Sequence, residues 1–288
     1  MEYDSSLHFK HKKAYSAPAH LTLMQDLKII KIGGNVIDHE EKLQAFLQDF
    51  ARLPGRKVLV HGGGKLASDL SRTLGIEPQL VEGRRITDEE TLVVVTMVYA
   101  GLINKTLVAR LQAHGTNALG LTGADANIIP ATKRQAGAID YGFAGDINPD
   151  QLNGDTLARF LEQGLTPVVA PITHDQKGHL LNTNADTIAS SLAIALSRHF
   201  SVQLIYCFEK AGVLLDVTDD SSLIPHLTPP EYGRLKEQGV IAAGMIPKLD
   251  NAFAAIRSGV TAVRICHADA LNGLAAGEEK AGTLLSDN

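Results

Sequence analysis

Two short runs constrain the fold more than anything else in this chain. Leu27-Lys28-Ile29-Ile30-Lys31-Ile32 is strand-like and closes on Gly33-Gly34, and Lys57-Val58-Leu59-Val60-His61 closes on Gly62-Gly63-Gly64. A helical pattern follows each. The first reaches about Leu53 with apolar residues at Leu43, Phe46, Leu47 and Phe50, and the second reaches about Leu74. A strand that ends in glycine and feeds a helix, then does so again, predicts a parallel α/β sheet. The pattern continues with a long helix over 88–113, a strand over 117–121, hairpin-like sequence over 128–150 and a helix over 155–163. A strand Pro167–Pro171, a turn near Lys177-Gly178 and a helix over 184–198 complete this block. A second block opens at Val202–Cys207, with helices near 229–239 and 246–258 and a strand over 261–266. No internal repeat or low-complexity linker divides them. The boundary is placed near residue 200, giving an N-terminal lobe of 24–199 and a C-terminal lobe of 200–288.

Composition narrows the class. The 288 residues are 44% hydrophobic and 20% charged, enough for a sizeable core in one large domain or two lobes of roughly 100–200 residues. A net charge of −5 and a pI near 6.1 exclude a broad nucleic-acid surface but leave room for a local anion site. Two cysteines, Cys207 and Cys266, cannot build a disulfide framework, and no C-x-x-C spacing suggests zinc, so a reducing cytoplasm is the expected compartment. No apolar run reaches the ~18 residues of a membrane span. The longest, Leu92 to Ile103, contains Thr96 and Gly101 and stops at Asn104. Residues 1–23 carry a basic cluster and the triplet Ala17-Pro18-Ala19 with no apolar stretch between, which is not a secretory signal. They read as a disordered leader, an expression remnant or an upstream start. His8-x-x-His11 has metal-ligand spacing, but a solvated tail is the simpler reading.

The glycine turns are where chemistry is expected. Glycine lets a ligand approach the backbone, and the following helix presents free N–H groups and a positive dipole end. Neither turn has the Walker spacing or G-x-G-x-x-G, and each alone is equally well a tight βα turn. Lys31, two residues before the first glycine pair, tips the pair toward phosphate. Three further segments add to it. Gly83-Arg84-Arg85-Ile86-Thr87-Asp88 places two guanidinium groups before a helix expected to be capped by Thr87, suited to gripping a carboxylate. Asn182-Thr183-Asn184-Ala185-Asp186 opens a helix with more polar groups than capping needs. Gly244-Met245-Ile246-Pro247-Lys248 sets a lysine just inside a proline-started helix, where a lone lysine is usually solvated.

In this order, the five segments resemble the amino-acid kinase family, and within it the acetylglutamate kinases, from about residue 26 to the C-terminus. The resemblance implies a three-layer αβα sandwich on a mainly parallel open sheet, with an acylglutamate-binding N-terminal lobe and a nucleotide-binding C-terminal lobe. It implies ATP-dependent phosphorylation of the γ-carboxylate of N-acetyl-L-glutamate in arginine (ornithine) biosynthesis, with Mg²⁺ on the ATP phosphates. By the resemblance, Lys31 and Lys248 stabilise the moving phosphoryl group and Asp186 holds both lysines. Gly33 and Gly34 border the phosphates. Gly63 and Gly64 offer amides to substrate and phosphoryl, and Arg85 and Asn182 bind the α-carboxylate and acylamino end. Glu209, Lys210, Gly212 and Leu214 fall on the nucleotide side. A homodimer through the 88–113 helix, insensitive to arginine, is the expected assembly, with no nucleic-acid or membrane partner.

The chain departs from the family in two places. The strand entering the second lobe commonly ends in Thr/Ser-Asp-Val-x-Gly; here Cys207-Phe208-Glu209-Lys210-Ala211-Gly212 keeps the glycine, replaces the aspartate with Glu209 and adds the cation Lys210, near the nucleotide or only on the turn surface. Arg84 stands where relatives are usually neutral or apolar. Turned inward, it would pair with the additional carboxylate that an N-succinyl group provides, as in N-succinyl-L-glutamate; adjacent side chains on an extended segment face opposite ways, which sends it to solvent. A non-catalytic amino-acid-sensing copy of the fold is the other rival. The joint presence of Lys31, Asp186 and Lys248 argues against it, since a sensor needs no phosphoryl-transfer lysines.

Overall fold

The computed structural model describes residues 24–81, 83–241, 245–276 and 281–287. The expected leader and Gly244 of the Gly244–Lys248 segment lie outside them. Eight strands form one sheet: β1 (Asp26–Ile32), β2 (Arg56–His61), β3 (Ala118–Leu121), β4 (Thr166–Val169), β5 (Ser201–Phe208), β6 (His226–Leu227), β7 (Ala262–His267) and β8 (Thr283–Leu285). Their order across the sheet is β6-β8-β7-β5-β1-β2-β4-β3, and only the β7–β8 pair is antiparallel. The sheet runs without a break across residue 200, because β1 lies between β2 and β5.

Strand alternation sorts the core into two layers. Leu27 and Ile29 of β1 pack on one face with Val58, Val60, Leu204 and Tyr206; Ile30 and Ile32 pack on the other with Leu59 and Ile205. The first layer is covered by α4 (Gly154–Glu162), α5 (Ala185–Leu196), α6 (Pro229–Glu237) and α7 (Ile246–Arg257). The second is covered by α1 (Glu40–Arg52) and by a long helix α3 (Glu89–Ala113), with α2 (Gly64–Thr73) packed against it. The stripe Leu43, Phe46, Leu47 and Phe50 of α1 is the buried face expected from its spacing.

One expectation is corrected here. The N-cap of α3 is Asp88, whose side chain accepts from Thr91 N–H at 2.8 Å, and not Thr87. Thr87 is fully buried and its hydroxyl is spent on Arg85 O and on Asn182 Nδ2, leaving it unable to cap. As expected over 88–113, α3 is one continuous helix of 25 residues, with a mean hydropathy of 1.8 over its most apolar window. By length and composition alone it is able to cross a membrane, although no uninterrupted apolar run does. One such helix is weak evidence, because the core helix of a soluble protein passes the same test.

Candidate active site

Lys31 is placed by alternation. It shares the face of Leu27 and Ile29, so it rises toward α5, whose Asp186 meets it with Nζ and Oδ1 2.7 Å apart. Its register partner on β5 is Tyr206, whose hydroxyl donates to the backbone carbonyl of Asp186 at 3.3 Å. Burial pushes the Tyr206 hydroxyl pKa up, with the Asp186 charge adding to it. α5 starts where it does because Asn184 accepts from the amides of Asp186 and Thr187, fixing Asp186 in the first turn. These groups sit at the carboxyl ends of parallel strands, where open α/β sheets bind ligands.

A cavity of about 260 Å³ opens there, walled by Lys31, Gly33, Gly34, the Gly62–Gly64 turn, Arg84, Arg85, Asn182 and Asp186. Gly63 is held at φ +147, and a side chain on it would begin 2.2 Å from Ile103 Cδ1, so both backbone and space require glycine. Arg85 is 8% exposed. Its Nη2 donates to Gly64 O at 2.8 Å and to Ser68 Oγ at 2.7 Å, while the buried Nη1 makes no close hydrogen bond among the described residues, the Tyr99 hydroxyl lying near enough for the guanidinium charge to act on it. A buried guanidinium with a spare donor at a cavity wall suits an incoming carboxylate. Asn182 is tied in from the other side, donating from Nδ2 to Thr87 Oγ1 at 3.0 Å. Arg84, the neighbour in the same two-residue strand, is exposed and lines the rim.

Lys248 enters from the first turn of α7, behind Pro247. Its ammonium lies 3.9 Å from the centroid of the Phe208 ring, and Lys31 Nζ is 5.7 Å from the same ring. Phe208 in turn stacks on Tyr206, centroids 5.9 Å apart. Burial pulls the Lys248 pKa below its ordinary 10.5; Asp186 and Glu209 oppose that shift and Lys31 adds to it. The direct ion pair of Asp186 is therefore with Lys31, while Lys248 rests on an aromatic face with Asp186 acting at longer range.

The remaining residues singled out from sequence stand apart from the cavity wall. Glu209 and Lys210 are exposed, and Lys210 makes a surface ion pair with Asp220 at 3.9 Å. Gly212 is pressed against β8, where a side chain would begin 2.6 Å from Thr283 Oγ1, and Leu214 bridges to Leu223. Sequence reasoning missed Phe208, Tyr206, Ser68 and Tyr99. The first two had a signal, since they alternate on β5 beside Lys31; Ser68 and Tyr99 are helix positions that only the tertiary packing brings to Arg85 and Gly63.

Comparison with known proteins supplies the family. A protein of Cytophaga hutchinsonii named acetylglutamate kinase is 56% identical over 266 residues, covering 92% of this chain and 100% of the relative. One of the same name from Parabacteroides distasonis is 55% identical, covering 86% and 97%. Among solved structures, smu.665 of Streptococcus mutans matches with a TM-score of 0.69 at 26% identity over 91% of this chain and 99% of that one. The N-acetylglutamate synthase of Neisseria gonorrhoeae gives 0.76 at 23% identity, over 92% of this chain and 60% of that one, a likeness of fold alone. The family model described as the amino acid kinase family matches residues 26–267, from the start of β1 to the end of β7, and with the paired lysines and glycine turns in place the chain belongs to that family.

Proposed function

We propose that this chain is an acetylglutamate kinase, transferring the γ-phosphoryl group of ATP to the γ-carboxylate of N-acetyl-L-glutamate in arginine biosynthesis. The observation that carries the reading is the full-length match to relatives of that name, in a chain whose Lys31, Asp186 and Lys248 converge beside two glycine turns. The carboxylate oxygen attacks the γ-phosphorus, the bond to the ADP oxygen breaks, and the products are an acyl phosphate and ADP. A carboxylate is already a nucleophile, so no general base is needed. The reaction needs two anions held together and charge relieved on a loose transition state.

In this reading Lys31 and Lys248 supply that relief, with Asp186 and the Phe208 ring keeping both ammonium groups in place. Gly33 and Gly34 border the ATP phosphates, and the Gly63 and Gly64 amides meet substrate and phosphoryl oxygen. Arg85 offers its spare Nη1 to the α-carboxylate, and Asn182 meets the acylamino end. Glu209, Lys210, Gly212 and Leu214 lie toward the nucleotide, with Glu209 close enough to act on the Lys248 charge. Mg²⁺ would be carried on the ATP phosphates, as the family resemblance implies, and would supply further positive charge there. The exposed Val93, Met97 and Leu102 of α3 support a homodimer across that helix. The test is ADP release with a panel of acidic amino acids, trapping the acyl phosphate with hydroxylamine. Turnover confined to N-acetyl-L-glutamate is expected; turnover with free glutamate or aspartate and none with the acetylated acid would overturn the reading.

A further inference from the structure

The Gly62–Gly64 turn has two kinds of amide. Gly62 N–H is spent on Ile32 O at 3.0 Å, while the N–H groups of Gly63 and Gly64 meet no acceptor among the described residues. A donor of this kind accelerates phosphoryl transfer only if it is aimed before the reaction begins. Three consecutive glycines aim nothing by themselves, since they have the freest backbone of any sequence. Something outside the turn has to orient it.

The buried polar groups beneath the turn do so. His61 is fully buried at the end of β2, on the face that meets α3. Its Nδ1 lies 2.8 Å from Gly62 O, and its Nε2 lies 3.2 Å from Nδ2 of Asn104, itself 1% exposed. We propose that His61 and Asn104 are positioning residues that aim the Gly63 amide at the reacting phosphoryl group, an inference that rests on the kinase reading above.

The hydrogen-bond inventory fixes the direction of each bond. Asn104 Oδ1 accepts from Lys105 Nζ at 3.2 Å, so its other side is the NH₂ group. One hydrogen of that group goes to Val168 O at 2.9 Å and the other to His61 Nε2. Nε2 is therefore the acceptor, the proton sits on Nδ1, and Nδ1 donates to Gly62 O. Burial holds the ring pKa down to about 4, which keeps the imidazole neutral near neutral pH, and the partners on either side select the tautomer. Gly62 C=O and Gly63 N–H belong to one planar trans peptide and point in opposite directions. Pinning the carbonyl inward on His61 sends the Gly63 N–H outward, toward the cavity that the turn lines.

Asn104 reaches His61 because of a local irregularity in α3. Met97–Ile103 is a π-helical segment, and Asn104 is the first α-helical residue after it. Such segments are frequent at functional sites. The same segment packs Ile103 and Tyr99 against Gly63, so the turn is held from its side-chain face as well as through its carbonyl.

The test uses the full chain with His61→Leu, His61→Asn and Asn104→Leu, together with the ¹⁵N spectrum of the His61 ring. An asparagine at 61 keeps a donor near the Nδ1 position; leucine keeps none. We expect His61→Leu to lower kcat about 10- to 100-fold, with KM for N-acetyl-L-glutamate within about threefold, the size expected when a pre-aimed group is displaced. His61→Asn should recover most of that loss, and Asn104→Leu should fall between. Wild-type resonances should show Nδ1 protonated and Nε2 bare. Wild-type kcat in a folded His61→Leu, or an Nε2-protonated ring in the wild type, would overturn the proposal while leaving the kinase reading intact. If leucine at 61 prevents folding, the wild-type tautomer and Asn104→Leu kinetics decide. A wild type inactive toward N-acetyl-L-glutamate would overturn the kinase reading first and the proposal with it.

Discussion

At the Arg85 end of the cavity the polar groups are buried and bonded to one another, whereas at the Lys248 end the cation is half-buried on an aromatic ring with charged neighbours in solvent. Arg85, Thr87, His61 and Asn104 are each less than a tenth exposed, and every one has protein partners. Glu209, Lys210 and Asp220 beyond Lys248 are exposed, as are Leu215 and Val217 in the loop that follows. Buried hydrogen bonds act in a low dielectric and admit few geometries; exposed ion pairs are screened and contribute little. The comparison teaches that, on the proposed reading, the end that would receive the small acid is held by buried hydrogen bonds, while the charged groups at the end that would receive the nucleotide stand in solvent.

The largest expected effect breaks the comparison at its exposed end. Lys248→Ala removes a cation from the transferring group without disturbing Arg85 or the glycine turns. Loss of one pre-organised charged donor typically costs ~10²–10³-fold in turnover. Kinetics with saturating ATP should show kcat falling by that amount and KM for the acid barely changed. A kcat within tenfold of wild type would remove Lys248 from the machinery.

Arg85→Leu probes the opposite end. Two hydrogen bonds to Gly64 O and Ser68 Oγ disappear with the spare Nη1, so both turn and carboxylate lose a partner. A charge-assisted pair contributes roughly 1.5–3 kcal/mol, about 10- to 100-fold in KM for the acid. KM for ATP should stay near wild type. Equal changes in both constants would mean that the two ends are coupled and not separately built.

How much of this was legible in sequence follows the same divide. The strand–glycine–helix repeats and the α1 stripe announced the sheet and its layers because periodicity is a local signal. Lys31 and Asp186 were legible as candidates because glycine turns and helix starts are themselves sequence-local. The ring under Lys248 was not, since Phe208 looks like any strand-end apolar residue until α7 is brought against β5. Nor was the employment of Thr87, whose hydroxyl answers to Asn182, 95 residues away in the chain. His61 gave no local sign of its role either, because its partner Asn104 sits on a helix whose π segment sequence spacing does not reveal.

Phe208→Leu isolates what the ring contributes to Lys248. A cation held on an aromatic face gains about 0.5–2 kcal/mol, so kcat should fall roughly 2- to 30-fold. Phe208→Tyr should behave like wild type, which separates ring from bulk. Should leucine and tyrosine variants turn over equally fast, the ring is packing only.

The pH profile sharpens the same point. Burial disfavours the charged form of Lys248, so its proton is lost as pH rises, below the ordinary 10.5. If the ammonium is the working form, kcat should decline on an alkaline limb that begins below that value. In Lys248→Arg the residual activity should hold to higher pH, because guanidinium does not titrate there. An alkaline limb unmoved by this substitution belongs to another group.

The smallest expected effect is at the rim. Arg84 and Arg85 are neighbours in one short strand, yet Arg85 is buried and Arg84 is exposed, as alternation requires. Arg84 does line the cavity mouth, so its charge is felt there, but solvent reaches it and screens it. Arg84→Leu should therefore change kcat/KM for N-acetyl-L-glutamate by no more than about threefold, the size of an exposed pair worth under ~1 kcal/mol. The same variant measured with N-succinyl-L-glutamate gives the sharper reading. The acid with a third carboxylate would lose far more than threefold only if Arg84 turned inward to meet it. Equal, small losses for both acids are expected, and they would place discrimination with the buried Arg85 end of the cavity; a loss confined to the succinyl acid would show that the rim takes part in it.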